Sequence, residues 1–355
     1  MQNPAFLPRY DRLQTYQWNY EHAPEPQELD IPAVPGNWTF CGLPVPSPLG
    51  IPAGPLLNGK WVLYYASLGF DVLTYKTVRS SARECYPLPN LQPVTAASMT
   101  GQESQVTLTD QMQGSWAVSF GMPSAAPEIW RDDVTRTREL LPKEKILSVS
   151  VVGSLQPGWS LEDLAEDYAL CARWARESGA DCIETNFSCP NVCTRDGQLY
   201  QQPEAATLVA SHVREAIGDT PYLIKIGHLT QEETAREFLQ AVAPFATAIV
   251  MTNSVATTVT DAQGTPLFNG DQRGICGVAT REASLRQLKC FARLIADLPQ
   301  NVTRPELVSC GGISTAEDVR EFLNAGAQAT HLATAAMIDP LIARQIRTEL
   351  AQKAS

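Results

Sequence analysis

The feature that most constrains this chain is a regular alternation of two kinds of segment through its C-terminal two thirds. Short apolar runs of strand length stand at Ile146–Val151, Cys182–Asn186, Leu223–Ile226, Ala248–Thr252, Leu307–Cys310 and Thr330–Ala333. Between them, apolar residues recur with helical spacing at Pro127–Leu141, Leu161–Ser178, Pro203–Ile217, Gln231–Ala243, Thr280–Leu298 and Ala316–Asn324, with a last helix over Pro340–Ala351. Two earlier strands, at Leu49 and Val72, flank a helix at about Gly59–Leu68 and bring the strand count to eight. Strict βα alternation at this length points to a closed parallel barrel or a doubly wound sheet. The count, and the lack of an early Gly-x-Gly-x-x-Gly turn, favour a (β/α)8 TIM barrel.

Two segments stand outside the alternation. Residues 1–37 are rich in proline, tyrosine and acidic residues and show no clear period; they are expected to form an extension packed on the barrel of residues 38–355, through Phe6, Tyr10, Tyr16, Trp18 and Tyr20. Trp38–Val45 reads as a small hairpin turning at Gly42. Val78–Ser124 is a long insertion after the second strand, with turn-rich and β-like pieces. Long loops of that kind are usually functional or disordered.

Catalytic groups in such barrels sit at the carboxyl ends of strands, so the residues there carry the functional reading. The second strand ends at Lys76, a cation whose burial would require a partner. The strand Cys182–Asn186 runs into Phe187-Ser188-Cys189-Pro190-Asn191-Val192, which releases two amides, a hydroxyl and a thiol together. Asn186 and Asn191 can grip a planar polar ligand, and Cys189 can accept a proton as its thiolate. Lys225 ends another strand, where it fits either a ligand contact or a Schiff-base lysine. Thr252-Asn253-Ser254 offers an amide and a hydroxyl after the next. Glycine-containing turns at Arg273–Val278 and Ser309–Ser314 expose backbone N–H groups near helix starts, which favours an anion. In barrels a phosphate commonly binds beside the last two strands.

The run Asn186-Phe187-Ser188-Cys189-Pro190-Asn191-Val192 resembles the catalytic loop of the dihydroorotate dehydrogenase family, which includes the flavin domain of dihydropyrimidine dehydrogenases. A cysteine in place of serine is similar to the soluble class 1 branch. Further matches fall on most strand ends from Trp38 onward. The resemblance implies an FMN enzyme that removes a hydride and a proton from adjacent carbons of a small cyclic amide. Cys189 would be the base, and flavin N5 would accept the hydride. Substrate would be oriented by Lys76, Asn186, Asn191, Asn253 and Ser254. FMN would lie against Ala53, Gly54, Lys76, Ser150, Asn186 and Lys225, with its phosphate end at Gly277, Gly311, Gly312, Ala333 and Thr334. Ser119–Ser124 resembles a family segment whose leading asparagine, a substrate ligand, is replaced here by Val118. Asn58 and Ser119 are the candidates to compensate.

Chain-wide features limit the alternatives. A composition of 44% hydrophobic and 18% charged residues suits a globular protein with a substantial core. A net charge of -11 argues against nucleic acid and anionic membranes as partners. No apolar run reaches the roughly 20 residues needed to span a bilayer. Nine scattered cysteines suggest reduced thiols and a cytoplasmic setting. Cys189 and Cys193 are close enough for a redox pair or cluster ligation, but no second cysteine cluster completes a set. No metal is called for. The electron acceptor stays open, and a homodimer is compatible with the chain. Beside dihydroorotate oxidation stand action on a different dihydropyrimidine or specialised metabolite, a Schiff-base aldolase built on Lys225, and a non-catalytic flavin-binding barrel.

Overall fold

The computed structural model describes residues 7–188 and 198–352. In chain order, β1 (Trp38–Phe40) and β2 (Leu43–Val45) form a hairpin, followed by β3 (Leu49–Ile51) and β4 (Val72–Val78). Next come β5 (Leu91–Thr95), β6 (Gln105–Leu108), β7 (Ser115–Val118), β8 (Ile146–Val151), β9 (Cys182–Asn186), β10 (Tyr222–Lys225) and β11 (Ala248–Met251). The last four are β12 (Val255–Thr260), β13 (Arg273–Gly277), β14 (Glu306–Cys310) and β15 (Ala329–His331). The helices are α1 (Tyr16–Glu21), α2 (Gly59–Ser67), α3 (Pro127–Leu140), α4 (Leu161–Glu177) and α5 (Pro203–Ile217), then α6 (Glu232–Val242), α7 (Arg281–Ala296), α8 (Ala316–Asn324), α9 (Thr334–Ile338) and α10 (Ile342–Gln352).

Eight parallel strands close in the order β3-β4-β8-β9-β10-β11-β14-β15, giving the (β/α)8 barrel. Their helices start where the chemistry demands. Ser160 and Asp163 form a capping box at α4, Thr315 and Asp318 form another at α8, and prolines open α3 and α5. Among the described residues, no helix is long and apolar enough to cross a membrane.

The barrel interior changes character along its axis. Alternate residues of a strand share one face, and Val72, Ile146, Cys182, Leu223 and Ala248 pack with Phe40, Cys41 and Val45 of the hairpin. The hairpin thus plugs the amino-terminal end with apolar side chains. Two residues further along the strands the lining turns polar, with Thr74, Ser148 and Glu184 all buried.

An ionic knot fastens the closed end from outside. Asp71 is fully buried, accepts from Ser47 Oγ at 2.5 Å and from Lys145 Nζ at 2.5 Å, and pairs with the buried Arg347 of α10. Arg347 also donates to Gly69 O and Pro32 O. Removing one member of a buried pair leaves an uncompensated charge. Asp71→Ala is therefore expected to cost about 3–5 kcal/mol in chemical denaturation. A loss below about 1 kcal/mol would mean that water takes over both cations.

The insertion is not the irregular loop that its sequence suggests. β5, β6 and β7 join β12 and β13 in a second, five-stranded closed barrel. Arg273–Gly277 is accordingly a strand, paired with β7 and β12, and not a simple turn into a helix. The partners lie some 150 residues apart, as in Thr258 opposite Gln105. No local pattern reports such a pairing.

The N-terminal segment is stitched to α2. Tyr64 Oη donates to Pro8 O, Trp61 Nε1 to Asn19 O, and Asn58 Nδ2 to Tyr20 O. Thr15 caps the short α1, and Tyr10 is buried. Trp18, expected to pack on the barrel, instead lies exposed and stacks on His22. Phe6 lies outside the described residues.

Candidate active site

At the carboxyl end of the barrel, strand ends deliver two buried lysines. Lys225 closes β10 and is 1% exposed; its hydrogen bond to Ala53 O is a long one, 3.4 Å. Below it stands Glu184 of β9, fully buried beside Ser150 and Lys225. Burial raises the Glu184 pKa, and the nearby Lys225 charge works against that rise. His331 of β15 is buried, and neither ring nitrogen is bonded to a described residue. Burial, reinforced by the Lys225 charge, lowers its pKa to about 3, so the ring stays neutral. Gly50 makes room for it, since a Cβ there would meet the imidazole at 2.4 Å.

Lys76 of β4 is 7% exposed. Its Nζ sits 4.7 Å from the Phe120 ring centroid and 5.5 Å from that of Tyr16. Burial lowers its pKa to about 8; Cys85 acts to raise it and Lys225 to lower it further. The partner that burial demanded is thus a pair of rings rather than a carboxylate. Asn186 faces the same insertion, with Nδ2 3.6 Å from Met122 Sδ, while its Oδ1 accepts from Ser188 N and Oγ. Ser150 is fully buried and accepts from Thr77 Oγ1 at 3.1 Å. Ser254 packs against Gly274, where a Cβ would fall 2.4 Å from its Oγ. Gly54 has φ +142°, with open space where a Cβ would stand.

The glycine turns and the strand ends beside them enclose one cleft, lined by Asn253, Gly277, Gly311, Gly312, Ala333 and Thr334. Two of these positions tolerate nothing but glycine. At Gly277, φ is +100° and a Cβ would lie 2.1 Å from Gly114 O. At Gly312, φ is +81° and a Cβ would lie 2.4 Å from Arg281 Cα. Arg281 is held in turn by Asp318 at 2.5 Å and by Glu321. Cys276 and Cys310 also line the cleft, and burial pushes the Cys276 thiol up to about 12.

Cys189 and Asn191 lie outside the described residues. Of the other expected residues, those of the glycine turns share the cleft, while Lys76 and Asn186 face the insertion at Phe120 and Met122. Asn58 and Ser119, the candidates to replace the amide missing at Val118, are otherwise engaged. Asn58 caps α2 through Trp61 N and donates to Tyr20 O. Ser119 Oγ accepts from Arg273 Nε. Sequence reasoning passed over Glu184, although an acid inside the apolar run Cys182–Asn186 was a visible signal. It gave no role to His331 or Phe120. Nothing local could place Tyr16 beside Lys76.

Comparison with known proteins agrees with this geometry. A family model described as dihydroorotate dehydrogenase matches residues 37–353. A dihydroorotate dehydrogenase of Dictyostelium discoideum is 32% identical, covering 97% of each chain. A quinone-type dihydroorotate dehydrogenase of Leifsonia xyli is 28% identical over 86% of this chain and 82% of its own. The catalytic subunit of an NAD(+)-type dihydroorotate dehydrogenase B from Bacillus thuringiensis is 30% identical, over 52% of this chain and 58% of its own. A crystal structure of DHODH from Eimeria tenella in complex with ferulenol superposes with a TM-score of 0.71. It covers 95% of this chain and 89% of that one at 16% identity, a likeness of fold.

Proposed function

Because the chain belongs to the dihydroorotate dehydrogenase family, we propose that it oxidises dihydroorotate to orotate at the carboxyl end of the large barrel. It is an oxidoreductase of the CH–CH class, and the enzymes of this family are FMN flavoproteins. The observation that carries the reading is the pairing of a side-chain-free cradle with a buried cation. Gly277 and Gly312 leave backbone within reach of a phosphate, and the buried Lys225 forms no ion pair among the described residues, only a long bond to Ala53 O. Both features suit FMN, whose phosphate would lie on Gly277, Gly311, Gly312 and Thr334 and whose ring would meet Lys225 and the Ala53-Gly54 strand end. FMN, when bound, supplies the hydride acceptor.

The remaining work falls to the chain's own residues. Cys189 Sγ, as thiolate, takes the proton from one ring carbon, while the neighbouring carbon loses a hydride and the carbon–carbon double bond forms. Lys76 pairs with the substrate's carboxylate, and Asn186, Asn191, Asn253 and Ser254 fix the ring by its amide edges. Orientation of this kind can supply several kcal/mol of the barrier reduction. Lys225, with Glu184 beneath it, sets the charge at the flavin's polar edge. Residues 1–37 act as an extension of the barrel of residues 38–355.

Val118 favours a second reading within the same chemistry. It stands where the resemblance expects an amide, so the pocket could prefer a ligand apolar on that side. The test is anaerobic mixing of the purified protein with dihydroorotate, dihydrouracil and dihydrothymine, followed by absorbance. Dihydroorotate is expected to bleach the flavin fastest, and denatured supernatant to contain FMN. Faster bleaching by another dihydropyrimidine moves the assignment to that substrate. No bleaching by any of them leaves a flavin-binding barrel, and absence of flavin removes the reading altogether.

A further inference from the structure

The N-terminal segment reaches Lys76, the residue proposed above to hold the substrate's carboxylate. Tyr16, on α1, places its ring 5.5 Å from Lys76 Nζ and 6.2 Å, edge-on, from the Phe120 ring. Phe120 approaches the same ammonium to 4.7 Å and is itself met edge-on by Tyr10 at 6.0 Å. Tyr10 is buried, and its hydroxyl has no hydrogen-bond partner among the described residues. The aromatic cluster is anchored, because α1 is tied to α2 through Asn58 and Trp61. A buried cation is costly unless paired. Aromatic faces recover part of that cost, holding the ammonium in one place with little water around it. A cation so held binds an incoming anion strongly, since neither the side chain nor its hydration shell must be reorganised at that moment.

We propose that the N-terminal segment completes the substrate site, with Tyr16 and Phe120 forming an aromatic box that holds the Lys76 ammonium for a planar heterocyclic carboxylate. The box selects for the acid over the neutral ring. This rests on the reading of Lys76 as the substrate's anion partner. It assigns to Tyr16 a specificity role that barrel residues alone do not supply.

Among the described residues, the titratable groups around Lys76 and its aromatic neighbours include Cys85 of the insertion, Lys225 of β10, and Tyr16, Tyr10 and Tyr20 of the N-terminal segment. Burial raises the Cys85 pKa, so that thiol adds no negative charge near neutrality. Lys76 must carry its proton to hold a carboxylate. Affinity for the acid should therefore be full below the Lys76 pKa and fall as pH rises through about 8. Opening the box admits water, restores solvation of the ammonium, and moves that limb upward.

The experiment titrates orotate and uracil into the flavin-loaded protein across pH and reads the flavin absorbance, with FMN content and melting temperature recorded for each variant. Tyr16→Leu keeps the apolar burial but removes the ring face, and should weaken orotate about tenfold while uracil changes little. Tyr16→Ala should add the upward move of the alkaline limb. Tyr16→Phe should bind orotate within about threefold of the wild type. Wild-type orotate affinity and an unmoved limb in both Tyr16→Leu and Tyr16→Ala would overturn the proposal. So would equal losses for orotate and uracil, which mark a general packing defect. Lys76→Ala separates the two levels of the argument: if it leaves orotate binding unchanged, the substrate role of Lys76 itself is wrong.

Discussion

Cys189→Ala is expected to slow flavin reduction by dihydroorotate at least about 100-fold, the lower end for loss of a general base, while the protein stays loaded with FMN. Free cysteine titrates at about 8.5, and only the thiolate accepts the proton. Reduction should therefore rise with pH as Cys189 ionises. Lys76, in the substrate role proposed for it, should oppose this, since its grip on the acid would be lost as pH rises through about 8. The two limbs together predict a bell-shaped profile for kcat/KM, and Cys189→Ser should displace the base limb upward, a serine hydroxyl being the weaker acid. Stopped-flow reduction under anaerobic conditions measures both effects. Reduction of Cys189→Ala at the wild-type rate would falsify the assignment of the base.

The second large effect is expected at Gly277. Its Cβ would stand 2.1 Å from Gly114 O, 2.8 Å from Ser115 Cα, and at φ +100°. Both neighbours are backbone, on the segment that leads into β7, so no side chain can swing away. Relief requires β13 to part from β7, with which Gly277 pairs at Ser115. Strain of about 1–3 kcal/mol at a positive-φ site would open the cradle proposed to hold the phosphate end of the cofactor. Gly277→Ala should bind FMN at least about tenfold more weakly, seen as flavin lost on desalting and recovered by added FMN. Unchanged FMN affinity would place the phosphate elsewhere along the cleft.

How much of this was legible in the sequence depends on the range of the interaction that decides it. The helices around the barrel were readable because amphipathic spacing and local caps such as Ser160 with Asp163 act within a few residues. The barrel strands were readable because burial on both faces makes them apolar throughout, as in β8. α1 and α9 were missed because six and five residues carry too little periodicity. The second barrel was missed for a different reason: β7 pairs with β13 across the whole middle of the chain. The same division holds at the site. Lys76, Asn186, Lys225 and Asn253 were singled out because barrel topology fixes where a strand end points. Tyr16 beside Lys76, and the neutral His331 in the interior, follow from contacts that no spacing encodes.

That second barrel ties the maturation of the two ends of the site together. β5, β6 and β7 emerge from the ribosome long before β12 and β13, yet the ring cannot close without them. Until then the earlier strands carry open edges, the condition under which chains pair wrongly or aggregate. Non-local closure of this kind is slow, because the intervening chain must be ordered first. Phe120 follows β7 by two residues, and Gly277 ends β13 against it. The wall beside Lys76 and the Gly277 edge of the cleft are therefore set by one pairing, β7 with β13.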